Sequence, residues 1–262
     1  MAKKTKTDWA GLSRDLECLL RLKTSPIAYK RLEKAEEMEK IPEVMPLDRL
    51  ATFCQVPALV RRIGLTVGVT RANLGERCAR INGLAPTTKK ELAWEAEGFA
   101  RTWFADVDEA RKQMAEYPVV PPGEAVVLAP LGAGKFDPNV VLIYGNPAQM
   151  MLLMNGLQFK DYERFQFFFI GEGSCADALA QCYTTGKPAL TIPCLGEREF
   201  GTVTEDELVM ALPPGMVAKA VEGLQALKAR GISFPIKYIG PSCDPSVPSV
   251  ILTRIYPDWF SH

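Results

Sequence analysis

Histidine is almost missing from this chain: the one imidazole in 262 residues is the last residue, His262. That removes Ser-His-Asp and Cys-His catalysis, histidine-rich metal sites and imidazole acid–base chemistry, unless the terminus itself supplies the ring. Any metal would have to be held by sulfur or carboxylate. Net charge is missing too. Lysine plus arginine and aspartate plus glutamate stand at 31 each, so nothing in the overall charge calls for a nucleic-acid or anionic-membrane partner. No apolar run reaches the roughly 18 residues of a membrane span. Met-Ala-Lys-Lys-Thr-Lys leads into a helix without the apolar core of a secretory signal, which makes a cytoplasmic protein the expectation. The chain also lacks any Cys-x-x-Cys pair. Its seven cysteines are scattered singly, an odd number that fits reduced thiols better than a disulfide framework.

The chain does contain a central stretch, residues 164–201, that reads as strand, glycine turn, helix and strand. Arg164-Phe-Gln-Phe-Phe-Phe-Ile170 is too aromatic for a half-exposed strand, so it reads as one covered on both faces. In such a βαβ unit Cys175 and Cys194 would emerge at one carboxyl edge, where open α/β sheets bind ligands. Upstream, Asp8 can cap a helix over 9–22, and 25–29 reads as a strand. Cys54 lies near a break made by Pro57. Residues 65–70 read as a strand, and Thr88-x-x-Glu91 and Asp106-x-x-Glu109 each open an amphipathic helix. Prolines 118, 121 and 122 set a boundary near residue 120.

Beyond that boundary, 125–131 and 140–144 read as strands, and Asn146-Pro147 opens a helix. Residues 205–212 and 215–230 read as helices, 232–239 and 250–256 as strands. The expected class is α/β or α+β, a small, mostly parallel sheet with helices packed on it. A helix-rich half over 1–120 and a βαβ-containing half over 121–262 would form one compact unit around one site.

Cys175 stands out as a candidate nucleophile, because a thiol at a helix N-terminus has its thiolate stabilised. Cys182, seven residues on, sits about 10 Å further along the axis and reads as core. Gly171, Gly173 and Ser174 form either an anion-holding turn or an ordinary tight turn, with Ser174 as N-cap. Glu197 and Arg198 follow Cys194, where Arg198 can hold a carboxylate or phosphate or serve as a surface charge. Gly132-Ala-Gly-Lys135 is read as a tight turn, since Phe136 replaces the metal-binding hydroxyl of a phosphate loop.

Several strings together carry a resemblance. Ser25-Pro-Ile-Ala-Tyr-Lys, Phe53-Cys54, Cys78 with Gly83-Leu84, Asn139-Val-Val-Leu-Ile-Tyr-Gly-Asn-Pro-Ala-Gln149, Gly173-Ser-Cys175, Gly186-Lys-Pro and Pro193-Cys-Leu-Gly196 resemble the uncharacterised prokaryotic family named domain of unknown function 169. The likeness spans roughly residues 10–255. It implies that Cys54, Cys78, Cys175 and Cys194 sit in recurring segments, whereas Cys18, Cys182 and Cys243 do not. Four thiols with almost no histidine favour an iron–sulfur cluster or a Cys-only zinc held by Cys54, Cys78, Cys175 and Cys194. A redox enzyme or electron-transfer protein is then expected. Two alternatives stay open: a module binding a small anionic molecule at the 171–175 turn, and a thiol enzyme using Cys175. A homo-oligomer or a partner subunit fits either.

Overall fold

The computed structural model describes residues 7–236 and 255–260. Cys243, His262 and most of the expected strand at 250–256 lie outside them. The class is α/β, as expected: seven strands form one mixed sheet with helices on its faces. The strands are β1 (Ile27–Leu32), β2 (Val44–Pro46), β3 (Thr66–Thr70), β4 (Ala125–Pro130), β5 (Val140–Gly145), β6 (Ala189–Thr191) and β7 (Leu208–Leu212). Their spatial order is β2-β3-β4-β1-β5-β7-β6, so β4 from beyond residue 120 lies between β3 and β1 from before it.

The strand directions differ from the expectation of a mostly parallel sheet. Only β2 and β3 pair in parallel, and every other neighbouring pair is antiparallel. An antiparallel strand buried on both faces reads as the same unbroken apolar run as a parallel one, so Val140–Tyr144 could not declare its direction. The expected βαβ unit is absent. Residues 162–170 are extended but pair with no strand. Phe165 and Phe167 pack on the helix layer, whereas Phe168 and Phe169 are 66% and 51% exposed.

The expected helix at 205–212 is instead β7 over Leu208–Leu212, paired on both sides between β5 and the edge strand β6. Val209 and Ala211 face one core while Met210 and Leu212 face the other. The acidic Glu205-Asp-Glu lead-in imitates a helix start and hid that alternation. No strand forms over 232–236.

Local signals elsewhere are met. Asp8 accepts from Gly11 N, Thr88 from Glu91 N and Asp106 from Asp108 N and Glu109 N. These open α1 (Trp9–Leu20), α4 (Lys89–Ala100) and α5 (Val107–Ala115). Pro57 falls in the first turn of α2 (Gln55–Ala58), where no intrahelical amide is needed, and the chain continues as a π-helical segment, Leu59–Ile63. Asn146 caps α6 (Pro147–Gln158), which has proline at its first position.

Two helical layers result. On one face α1, α6 and α9 (Pro214–Ala229) bury Leu16, Leu153, Val217 and Leu224 against Val141, Ile143 and Met210. On the other face, Phe53, Val56 and Leu179 close over Tyr29, Leu128, Leu142 and Tyr144. The second face is where the cysteines collect.

Helices α6 and α9 touch at Gly156 and Gly223, where a Cβ on Gly223 would strike the Gly156 carbonyl. Gly223→Ala should therefore lower the unfolding free energy by about 3 kcal/mol in urea titration. Gly215→Ala, in open space on the same helix, should stay within about 0.5 kcal/mol of the parent.

Candidate functional site

Two local devices bring the cysteines together in pairs. Cys54 takes the N-cap position of α2, and Cys78 lies in α3 (Glu76–Ile81). A parallel bridge between Ala51 and Leu74 sets the two approaches side by side. Phe53 N then donates to Cys78 Sγ at 3.3 Å. In the second half the helix runs outward through a π segment, Cys175–Ala180, and α7 (Gln181–Thr185), turns at Gly186 and comes back as β6.

That return path brings the chain to its own start. Cys194 N donates to Ser174 Oγ at 2.7 Å in a buried contact. The two segments expected to adjoin do so, through a helix and its return strand instead of a parallel crossover.

The pairs also meet each other. Cys54 Sγ and Cys194 Sγ both lie against Gly196, 3.4 and 3.9 Å from where its Cβ would stand, and each thiol shifts the other's acidity. Cys175 is electrostatically coupled to Cys78 and Cys194, and Cys78 to Cys194. Four thiols from four distant segments thus share one neighbourhood. The others do not join it. Cys182 is 1% exposed in the core, where burial alone pushes its thiol up to about 12, and Cys18 is on the surface.

The thiols are electrostatically unlike. Cys194 is held well below the usual thiol range by the neighbouring Cys54 thiol, the Ser174 hydroxyl and the amides of Ser174 and Glu197, which together outweigh burial. Cys54 moves upward, through that same contact and then burial. The lowered value expected at Cys175 is not found. Burial and the neighbouring Cys78 and Cys194 raise it well above the ordinary value. Its helical start explains this. Ser174 is already helical and caps nothing with its side chain, so Cys175 begins an enclosed six-residue π segment with no open helix end.

The expected anion turn is filled from within. Asp177 accepts from Ile170 N at 3.0 Å and from Gly171 N at 3.4 Å, placing a carboxylate where a bound anion would sit. Gly171 and Gly173 carry φ of +84° and +149°, and the second leaves room for Arg77 beside it. Arg198 donates to the carbonyls of Pro193 at 3.2 Å and Thr204 at 3.1 Å and so braces the loop after Cys194. Lys135, in the other glycine turn, pairs with Glu43.

Further side chains surround the thiols, and only Glu197 among them is marked out by the sequence. Glu197, one turn beyond Cys194 in α8 (Leu195–Glu199), is 3% exposed and accepts from Tyr144 OH at 3.3 and 3.4 Å. Arg61 lies 4.1 Å over the Tyr144 ring and pairs with Glu207 at 2.8 Å. On the far side the Arg77 guanidinium rests against the rings of Phe99 and Tyr117, and its charge only partly offsets the burial that raises Cys78 and Cys175. The available signal was an arginine inside an otherwise apolar helical stretch, as at Val60-Arg-Arg-Ile63. Among the described residues, no group of three or more histidine, cysteine, aspartate or glutamate side chains is already set to hold a metal ion. Nor is any described helix long and apolar enough to cross a membrane.

Fold and site define an α/β protein in which one buried and three half-buried thiols gather from both halves of the chain. The chain belongs to the family described as uncharacterised ArCR, domain of unknown function 169, which matches it over residues 15–223. That span includes all four clustered cysteines and leaves out Cys243. The chain is also similar to the uncharacterized protein MJ0308 of Methanocaldococcus jannaschii, 32% identical over 124 residues. The match covers 47% of this chain and 53% of the relative, so the chain spans about half the length of that curated protein. No solved structure matches.

Burial, then the Cys194 thiolate, raises Glu197 from 4.5 to about 8. Between those values the folded chain holds a proton that the unfolded chain has released, so stability falls as pH rises through the window. Glu197→Gln removes that loss. The variant's unfolding free energy relative to the parent should therefore climb between pH 5 and pH 8 in urea titrations. A flat difference would show the carboxyl ionised in the fold.

Proposed function

We propose that the four-thiol cluster is the working centre and that it performs sulfur-based redox chemistry in the reducing cytoplasm. Cys194 serves as its thiolate and Cys54 as the partner thiol. The placement of Cys54 Sγ and Cys194 Sγ together against Gly196 carries this reading, since it sets a thiol held low beside a second sulfur. Oxidation joins the two sulfurs in one bond. Two electrons pass to a partner disulfide; the Cys54 proton goes to one of that partner's sulfurs and a proton from solvent to the other, giving a dithiol. An enzyme of oxidoreductase type or an electron-transfer subunit follows from that chemistry. Arg77 supports it as a fixed positive charge beside Cys78 and Cys175.

A different observation favours a second reading. Cys194 acts electrostatically on each of the other three thiols, which suits an iron–sulfur cluster or a soft metal held by Cys54, Cys78, Cys175 and Cys194. This requires the side chains to turn inward on binding and to give up their thiol protons to solvent as the cation takes their place.

Anaerobically prepared protein separates the two. Treatment with an excess of oxidised dithiothreitol should remove two titratable thiols and yield a peptide crosslinked through Cys54 and Cys194, absent from Cys54→Ser and from Cys194→Ser. Loss of thiols with no such crosslink sinks the redox pair. For the second reading, iron, sulfide and zinc are measured on the same preparation. About four irons with four sulfides, or one zinc, per chain support it, and metal-free protein excludes it.

A further inference from the structure

Residues 86–117 leave the body of the fold as an excursion tied at its base. Val120 N donates to Ile81 O at 2.9 Å and Gly123 N to Gly83 O at 3.0 Å, so its two ends run side by side. Between them α4 and α5 pack mainly against each other. Among the described residues, no backbone hydrogen bond joins 86–117 to the rest of the chain. Apolar attachment is thin as well. The buried residues of α5 are Ala110 and Met114, which share a small cluster with Ile81, Ala176 and Ala180. Helix α4 buries only Ala96 and the charged Glu95.

Glu95 is therefore a principal tie between α4 and the body. Its carboxylate meets Arg77 and Arg80 of α3: Oε2 accepts from Arg80 Nη2, and Oε1 stands 3.3 Å from Arg77 Nε. Oε1 has no hydrogen-bond partner, so the tie is half made. A buried ion pair gives little net stability, because desolvation offsets much of its attraction. A helix held by such a pair and one alanine belongs to the low-stability end of a fold, where local opening precedes global unfolding.

The excursion covers the α3 side of the thiol site. Cys78 lies on the wall of a cavity of about 280 Å³ between α3 and α4, and Cys175 packs against the same small cluster as Ala96 and Ala110. Arg77 links cover and site. Its guanidinium lies 4.2 Å over the Phe99 ring of α4 and reaches the Glu172 carbonyl in the turn before Cys175.

We infer that the α4–α5 hairpin is a lid over Cys78 and Cys175, latched by Glu95 on Arg77 and Arg80 and hinged at the paired base near Gly83 and Val120. Closed, it keeps solutes from the two thiols. Open, it exposes them and leaves the sheet and the layer of α1, α6 and α9 intact. The inference goes beyond the proposed chemistry and holds whichever reaction the thiols run.

Hydrogen exchange of the intact chain, read by mass spectrometry, tests it first. Amides of α4 and α5 should open as one unit and exchange at least about a hundredfold faster than those of α6 and α9. Alkylation with N-ethylmaleimide then follows the individual thiols. Glu95→Ala should speed labelling of Cys78 and Cys175 at least about tenfold and leave that of the core thiol Cys182 unchanged. Exchange in α4 and α5 as slow as in α6 and α9 overturns the lid. So does an unchanged Cys78 rate in the variant, or Cys182 labelling that rises in step with Cys78. Where Glu95→Ala does not fold, the parent decides: Cys78 must still label well ahead of Cys182, and equal rates overturn the assignment.

Discussion

The buried hydrogen bond from Cys194 N to Ser174 Oγ, at 2.7 Å, ties the end of the β6 return to the start of the helix that precedes it. Everything in the candidate site depends on that closure. It places Cys194 against Cys54 and supplies one of the donors that hold the thiol low. It also keeps the turn at Gly171–Gly173 against Arg77, whose guanidinium reaches Tyr117 OH and the Glu172 carbonyl. A serine hydroxyl can accept from one amide and donate to one sulfur, and here it does both.

Buried charges frame the thiols on two sides. Arg61 with Glu207 lies below Tyr144 and Glu197, and Arg77 with Arg80 and Glu95 lies behind Cys78. Such pairs contribute little net stability, because desolvation offsets much of their attraction. Their effect here is positional. Each fixes the orientation of a group that touches the cluster, Tyr144 in one case and the α3 helix in the other. Glu197 belongs to neither pair, and burial first, then the neighbouring Cys194 sulfur, keeps its proton to a higher pH.

Part of this was legible in the residues alone. Caps at Asp8, Thr88, Asp106 and Asn146 are local: a side chain meets an amide two or three positions away, so spacing suffices to find them. Cys182 was readable as core from its helical position. The strand direction was not readable, since a run buried on both faces carries no sign of which way its neighbours point. Residues 208–212 were misread because short acidic lead-ins open strands as readily as helices. Phe165–Ile170 carried strand composition without a partner, and pairing is a property of the other strand.

The sequence by itself determined the α/β class, the near absence of histidine and the scattering of the cysteines as single residues. These follow from composition and short spacings, which act within a few residues. Only the tertiary structure decided that Cys54, Cys78, Cys175 and Cys194 meet, and that Cys194 is the thiolate in place of Cys175. A thiol's acidity is set by burial and by neighbours from other segments, here Cys54 and Ser174, and those distances exist only once the chain has closed on itself.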